Sequence, residues 1–433
     1  MARWNRPGSA STPGETAIDR GGREDTLWLA GLCAARAGVN TMTMAYPAVL
    51  SVVQQEWGLS AKAAGSISSA FQIGTAVALV VVSALADYMN PRAVWVAAAA
   101  ATAAVSLVIP VLAQGYLSAM ALFTAVAVAL AGTYTPGIML IAERFGPERR
   151  GRAVGWFLAA SSLGYVVALA LGGLVVARLG WRPALLVLAG GPVVSLVLAL
   201  ALFRGERQRV RPPAPRFSLD AGLRRNRPAQ LMIAGYVFHS WELLGMWAWA
   251  PAFVAAALAA HGKSPAEAAG IGAGLAAVFH VMGMIASATG GSLSDRWGRT
   301  AVIAGMMAVS SACSFSFGWL LTAPVLFILL VGSVYGFTAL GDSPVYSTGI
   351  TETVPAARLG SALAVRSLLG FGAGAVSPWV FGWVLDLYGG RAAGTAGWGW
   401  AFAVLGVGGV LGLGSMLWLR ALPESRRLAG GKR

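Results

Sequence analysis

The stretch Ala93–Val111 (AVWVAAAAATAAVSLVIPV) contains no charged residue. A run of about 18 or more apolar residues, rising about 1.5 Å per residue as a helix, can cross the hydrocarbon of a bilayer. Similar runs along the chain predict spans at 27–52, 64–86, 93–113, 116–142, 153–177, 183–203, 229–257, 267–290, 300–321, 324–350, 360–388 and 397–419. Composition agrees. Hydrophobic residues make up 57% of the 433 and charged residues only 11%, where a soluble domain carries about 25% charged. The predicted fold class is therefore an all-α membrane protein with twelve transmembrane helices. Its 56 glycines suit helices that pack through small residues in lipid.

The net charge of +15 does not read as a nucleic-acid patch. If both termini lie on one side, that side takes 25 of the 32 Lys and Arg, including eight Arg from Arg204 to Arg227. The other side takes five: Lys62, Arg178, Arg182, Lys263 and Arg391. Positive loops on the cytoplasmic side orient a membrane protein, whereas a nucleic-acid binder gathers charge on one soluble face. The expectation is an integral protein of the inner or plasma membrane with cytoplasmic termini, acting as a monomer in the lipid bilayer. Cys33 and Cys313 fall in distant spans and support neither a disulfide nor a metal site. His239, His261 and His280 are spread out, and no Gly-rich phosphate loop is present. No enzyme activity, cofactor, metal or ATP-driven pumping is expected.

Residues 204–228, rich in Arg and Pro, separate six spans from six. The predicted domains are an irregular cytoplasmic tail at 1–26, a bundle at 27–203, a cytoplasmic linker at 204–228, a second bundle at 229–420 and a tail at 421–433. The halves share landmarks. Ala30-Gly31 and Pro47 reappear as Ala234-Gly235 and Pro251 at an offset of 204. Pro136 and Pro147 reappear as Pro344 and Pro355 at an offset of 208, as Asp87 does as Asp295. Parallel repeats of six spans are a transporter design with the substrate site between them, near the midplane.

Between spans 8 and 9 stands Gly291-Ser-Leu-Ser-Asp295-Arg296-Trp-Gly298-Arg299, and the first half has a worn copy in Asp87 and Arg92. Glu143-Arg144 with Arg149-Arg150-Gly151-Arg152, and Pro423-Glu424-Ser425 after span 12, accompany it. In these motifs the chain resembles the major facilitator superfamily, over its whole length except tail and linker. The resemblance implies two pseudo-symmetric six-helix bundles that rock to expose a central cavity lined mainly by spans 1, 4, 7 and 10. It implies no particular substrate. Drug antiporters of the family often carry G-P-x-x-G-G in span 5. Here Gly172-Gly173 follow Ala168-Leu169 without a proline, which counts against drug efflux.

Ionisable groups within a span cost on the order of 3 kcal/mol on insertion scales and persist when paired or facing a cavity. Arg36, one turn from Asn40, is either an anion ligand or half of a structural ion pair. Arg366 in span 11 admits the same two readings, with Asp342 as its structural partner. In span 7, His239, Glu242, Met246 and Trp249 recur on one helix face. His239 and Glu242, with Asp342, are candidates to carry protons; alternatively Glu242 neutralises Arg36. Tyr134, Tyr346 and Trp249 are candidate cavity walls, and Gln72 and His280 weaker ones. The leading expectation is proton-coupled transport of a small organic anion such as a carboxylate. The rivals are proton-antiport efflux of a drug or metabolite, and a transporter-like sensor or membrane-embedded enzyme.

Overall fold

The computed structural model describes the backbone over 14–86, 89–204, 223–355 and 358–432, with side chains there except at 14–22, 83–86, 147–148 and 391. Its first half contains α1 (Gly14–Asn40), α2 (Ala45–Glu56), α3 (Ala61–Ala86), α4 (Pro91–Leu112), α5 (Tyr116–Ala131), α6 (Tyr134–Arg144), α7 (Pro147–Leu179) and α8 (Trp181–Leu202). Its second half contains α9 (Arg227–Ala260), α10 (Pro265–Trp297), α11 (Arg299–Phe317), α12 (Val325–Gly341), α13 (Ser343–Thr353), α14 (Leu359–Leu387) and α15 (Thr395–Ala421). Eleven stretches among the described residues are long and apolar enough to cross a membrane. The remaining predicted span, the first, is divided between α1 and α2. The fold is an all-α membrane protein of two pseudo-symmetric bundles, as expected.

Local chemistry starts the helices. Pro91, Pro147, Pro228 and Pro265 each stand in a first turn, where a missing N–H costs nothing. Asn90 caps α4 by accepting from the Arg92 N–H at 3.0 Å, and Asn226 caps α9 by accepting from the Ala229 N–H at 3.1 Å. Spans 1, 4 and 10 are broken, and proline explains where. A helical proline clashes with the carbonyl four residues back. Four residues before Pro47, Pro136 and Pro344 stand Thr43, Gly132 and Leu340, and the three breaks fall at or beside those positions. At Pro251 and Pro378, by contrast, α9 and α14 run on as single helices.

The expected ends need correction. The tail read as irregular over 1–26 is helical from Gly14, while 1–13 and most of the linker lie outside the described residues. The C-terminal tail forms a short 3-10 stretch at Pro423–Gly431 that buries Leu428.

The bundles meet through α3 with α14 and α7 with α10. The tight approaches lie toward the end bearing the 57–60 and 261–264 loops. A Cβ on Gly173 would strike the Gly270 carbonyl, and one on Gly382 the Ala61 carbonyl. Asp386, at the end of α14, accepts from the Ala61 N–H at 2.7 Å and the Lys62 N–H at 2.8 Å, so one bundle caps a helix of the other. Away from this junction, Leu117, Leu179, Leu326 and Trp418 face outward, exposed as lipid contact demands.

Candidate functional site

Arg36 lies deep in α1 and is only 7% exposed. Its Nε donates to Ser161 Oγ at 2.8 Å and its Nη1 to Thr133 Oγ1 at 2.7 Å. The guanidinium lies 5.4 Å from the Tyr134 ring centre and 5.2 Å from that of Phe157. The α5–α6 break makes this possible, because Thr133 sits in the gap with its hydroxyl free to accept. Asn40, expected to share a ligand with Arg36, instead donates to the Arg36 carbonyl at 2.8 Å and closes the end of α1. A short polar side chain at a helix end satisfies local backbone first.

Arg366 projects from α14. Its guanidinium stands 4.2 Å from the Tyr236 ring centre, Nη1 donates to Ser347 Oγ at 2.7 Å, and Nε has no partner. Tyr134, whose ring lies under the Arg36 guanidinium, stands at the start of α6. Neither expected ion pair is present. Asp342 Oδ1 stands 2.8 Å from His239 Nδ1 rather than meeting Arg366, and Glu242 accepts from Ser310 Oγ at 2.7 Å rather than meeting Arg36. Among the described residues neither guanidinium has a carboxylate partner.

The span 7 face divides. His239 turns toward α13, between Tyr236 and Tyr346 at 5.5 and 5.8 Å between ring centres. Glu242 turns into its own bundle, against Ser310 and beside Gly409, and is 2% exposed. A periodicity of 3 and 4 puts side chains on one face but does not choose which neighbouring helix each meets. Trp249 is also corrected as a cavity wall. Fully buried, it donates its indole N–H to the Pro378 carbonyl at 3.0 Å and stacks on Phe381. Tyr346 is fully buried too, its hydroxyl 3.1 Å from Met307 Sδ. The aromatic contact between bundles is made instead by Tyr165 with Trp247 at 5.3 Å and with His280 at 5.8 Å.

The charged turn after α10 is held by more than its own residues. Arg299 pairs with Asp295, donates to Ser294 Oγ at 2.6 Å and pairs with Glu352 at 2.8 Å. Gly298, with φ of 95°, occupies the left-handed region this turn requires. Gly291 faces open space, and the close approach is made by Gly290 against Gly341. The solvent-facing Lys432 donates to the Asp295 carbonyl and the Ala429 N–H to Glu352 Oε2, which docks the tail here. In the first half, Arg92 pairs with Glu143 at 3.4 Å; Asp87 lies outside the described residues. Sequence reading missed Glu352, although its spacing from Arg299 nearly repeats that of Glu143 from Arg92. Thr133, Ser161, Ser310 and Ser347 gave no comparable signal, being small hydroxyls scattered in helices.

Comparison with known proteins agrees with this arrangement. Residues 30–261 match the family profile described as "Major Facilitator Superfamily". A protein of Streptomyces coelicolor named "Probable transporter SCO4007" is 30% identical, the alignment covering 93% of this chain and 92% of that protein. A gallate transporter of Pseudomonas putida is 31% identical over 38% of this chain and 36% of its own. A bacterial homologue of the human lysosomal transporter Spinster, solved facing inward, superposes with a TM-score of 0.72 at 16% identity, covering 93% of this chain and 97% of that one. The nucleoside transporter NupG gives 0.70 at 13% identity, covering 91% and 99%. With its paired bundles and its charged α10–α11 turn, the chain belongs to the major facilitator superfamily and is a membrane transporter of that type.

Proposed function

We propose that the protein carries a small organic anion of the carboxylate type, coupled to protons, by alternating access. The observation that carries this reading is the pair of guanidiniums, one within an apolar helix of each bundle, without a carboxylate partner among the described residues. A buried cation held only by neutral hydroxyls and ring faces keeps its charge available to an anion, and guanidinium binds carboxylate through two parallel bonds. Arg36 and Arg366 hold the substrate, with Tyr134 between them. His239 and Asp342 form the protonatable pair, and Glu242 stands apart as a second acidic group. The gallate transporter of Pseudomonas putida, itself a carrier of an organic anion by name, supports the substrate class.

The loop charges orient the chain with its termini in the cytoplasm of an inner or plasma membrane. The end sealed by Asp386 and the Gly173–Gly270 contact is then the outer one, and the conformation faces inward. Efflux of an amphipathic cation is the competing reading, and two uncompensated guanidiniums disfavour it.

A thermal-stabilisation screen of purified protein tests the proposal, with carboxylates and amphipathic cations side by side at two pH values. A ligand that binds the folded state raises its melting temperature. Carboxylates are expected to stabilise the native protein, more strongly at the lower pH, and to lose that effect in Arg36→Gln. Stabilisation by cations alone, or carboxylate binding at native affinity in Arg36→Gln, overturns it.

A further inference from the structure

The seal between the bundles has two sides of different chemistry. On one side α7 meets α10 through Gly173, Ala177, Gly270 and Ala273, in close apolar approach. The start of α10 is completed within its own bundle, where Glu267 accepts from the Ser264 N–H at 3.3 Å and from the Ser264 hydroxyl at 2.9 Å. On the other side, Pro378, Gly382 and Asp386 of α14 recur every fourth residue and share a face. Gly65 and Ala61 of α3 lie against it. A Cβ on Gly65 would strike the Pro378 carbonyl, and one on Gly382 the Ala61 carbonyl. At the end of this face the two carboxylate oxygens of Asp386 take the first two N–H groups of α3, that of Ala61 at 2.7 Å and that of Lys62 at 2.8 Å. The third, of Ala63, goes to Ser60 Oγ at 3.1 Å, within the first bundle. Lys62 also reaches across, its Nζ 5.1 Å from the Trp379 ring centre.

We propose that Asp386 is the lock of the sealed end, the contact that sets how often the protein opens on that side. Rocking of the bundles must break every contact that crosses the seal. Parting α7 from α10 uncovers small residues and backbone already bonded within each helix. Parting α14 from α3 takes a carboxylate away from a helix N-terminus, where charge-assisted bonds and the helix dipole both favour it. A conformational equilibrium is shifted only by an interaction that differs between its two states. The Asp386 cap is such an interaction, present when this end is closed and lost when the bundles part. The lock acts whatever the substrate, so it stands or falls apart from the anion reading.

Pulsed electron-spin distance measurement on the full-length protein in liposomes tests this. Spin labels at Gln114→Cys and Thr322→Cys, exposed positions in loops of opposite bundles at the sealed end, report its opening, with Cys33→Ser and Cys313→Ser as background. The short distance of the closed end should dominate. Asp386→Ala is expected to raise the ratio of long to short distances about tenfold or more, the worth of one hydrogen bond to a charged group. Asp386→Asn keeps one acceptor without the charge and should give a smaller rise. Glu267→Ala removes a helix-start carboxylate that stays within its own bundle, and should leave the ratio unchanged. An unchanged ratio in Asp386→Ala, or an equal rise in Glu267→Ala, overturns the lock. If Asp386→Ala does not fold, Asp386→Asn decides, and no rise there overturns it.

Discussion

The two bundles solve one packing problem with opposite chemistry. Each has a polar residue deep in its first helix that meets the break in its fourth. In the first half this is Arg36 with Thr133, a cation held by a neutral hydroxyl. In the second half it is His239 with Asp342, a titratable base held by a carboxylate. The positions correspond to within a residue under the 204 and 208 offsets of the repeat. One half sets a guanidinium among neutral hydroxyls and rings, and the other sets an imidazole beside a carboxylate. Equivalent frames thus hold non-equivalent chemistry, and under the proposed function the asymmetry divides anion binding from proton coupling.

Substitutions on each side would break or sharpen this contrast. The largest expected effect is that of Asp342→Ala, which strands His239 in a buried site. Removing one partner of a buried pair costs about 3–5 kcal/mol, and thermal unfolding in a fixed detergent should show it. The turn after α10 comes next. Arg299→Ala leaves Glu352 and Asp295 without their shared cation and should lower the melting temperature more than Arg92→Ala, whose contact with Glu143 is longer at 3.4 Å. Equal shifts would refute the claim that the first-half copy is the weaker. Thr133→Val removes one acceptor from Arg36 and is expected to cost about 1 kcal/mol in the same assay. Arg36→Met should change stability least, within about 1 kcal/mol, because replacing a buried charge by an apolar side chain is often neutral. It should nevertheless abolish anion binding. A large loss of stability there would make Arg36 a structural residue.

Much of this was legible in advance. The spans followed from charge-free runs, but proline alone did not say where helices break, since α9 and α14 run through Pro251 and Pro378 while spans 1, 4 and 10 divide near Pro47, Pro136 and Pro344. The Asp295–Arg299 turn announced itself through spacing. The site was less legible. Arg36 and Arg366 stood out as charges in apolar helices, but their expected partners were wrong. Nothing in a helical period says that Glu242 meets Ser310 while His239, three residues earlier, meets Asp342. Nor does hydropathy distinguish Trp247, which meets Tyr165 of the other bundle, from the fully buried Trp249.

The sequence by itself determined the kind of elements, the division into related halves and the presence of costly charges within apolar helices. These are local properties, set by transfer of each residue into hydrocarbon and by backbone chemistry within a few positions. Tertiary structure alone decided which charges compensate one another and which end of the interface is sealed. Those outcomes depend on the rotation and approach of helices far apart in the chain, set by the summed packing of many small contacts rather than by any single residue.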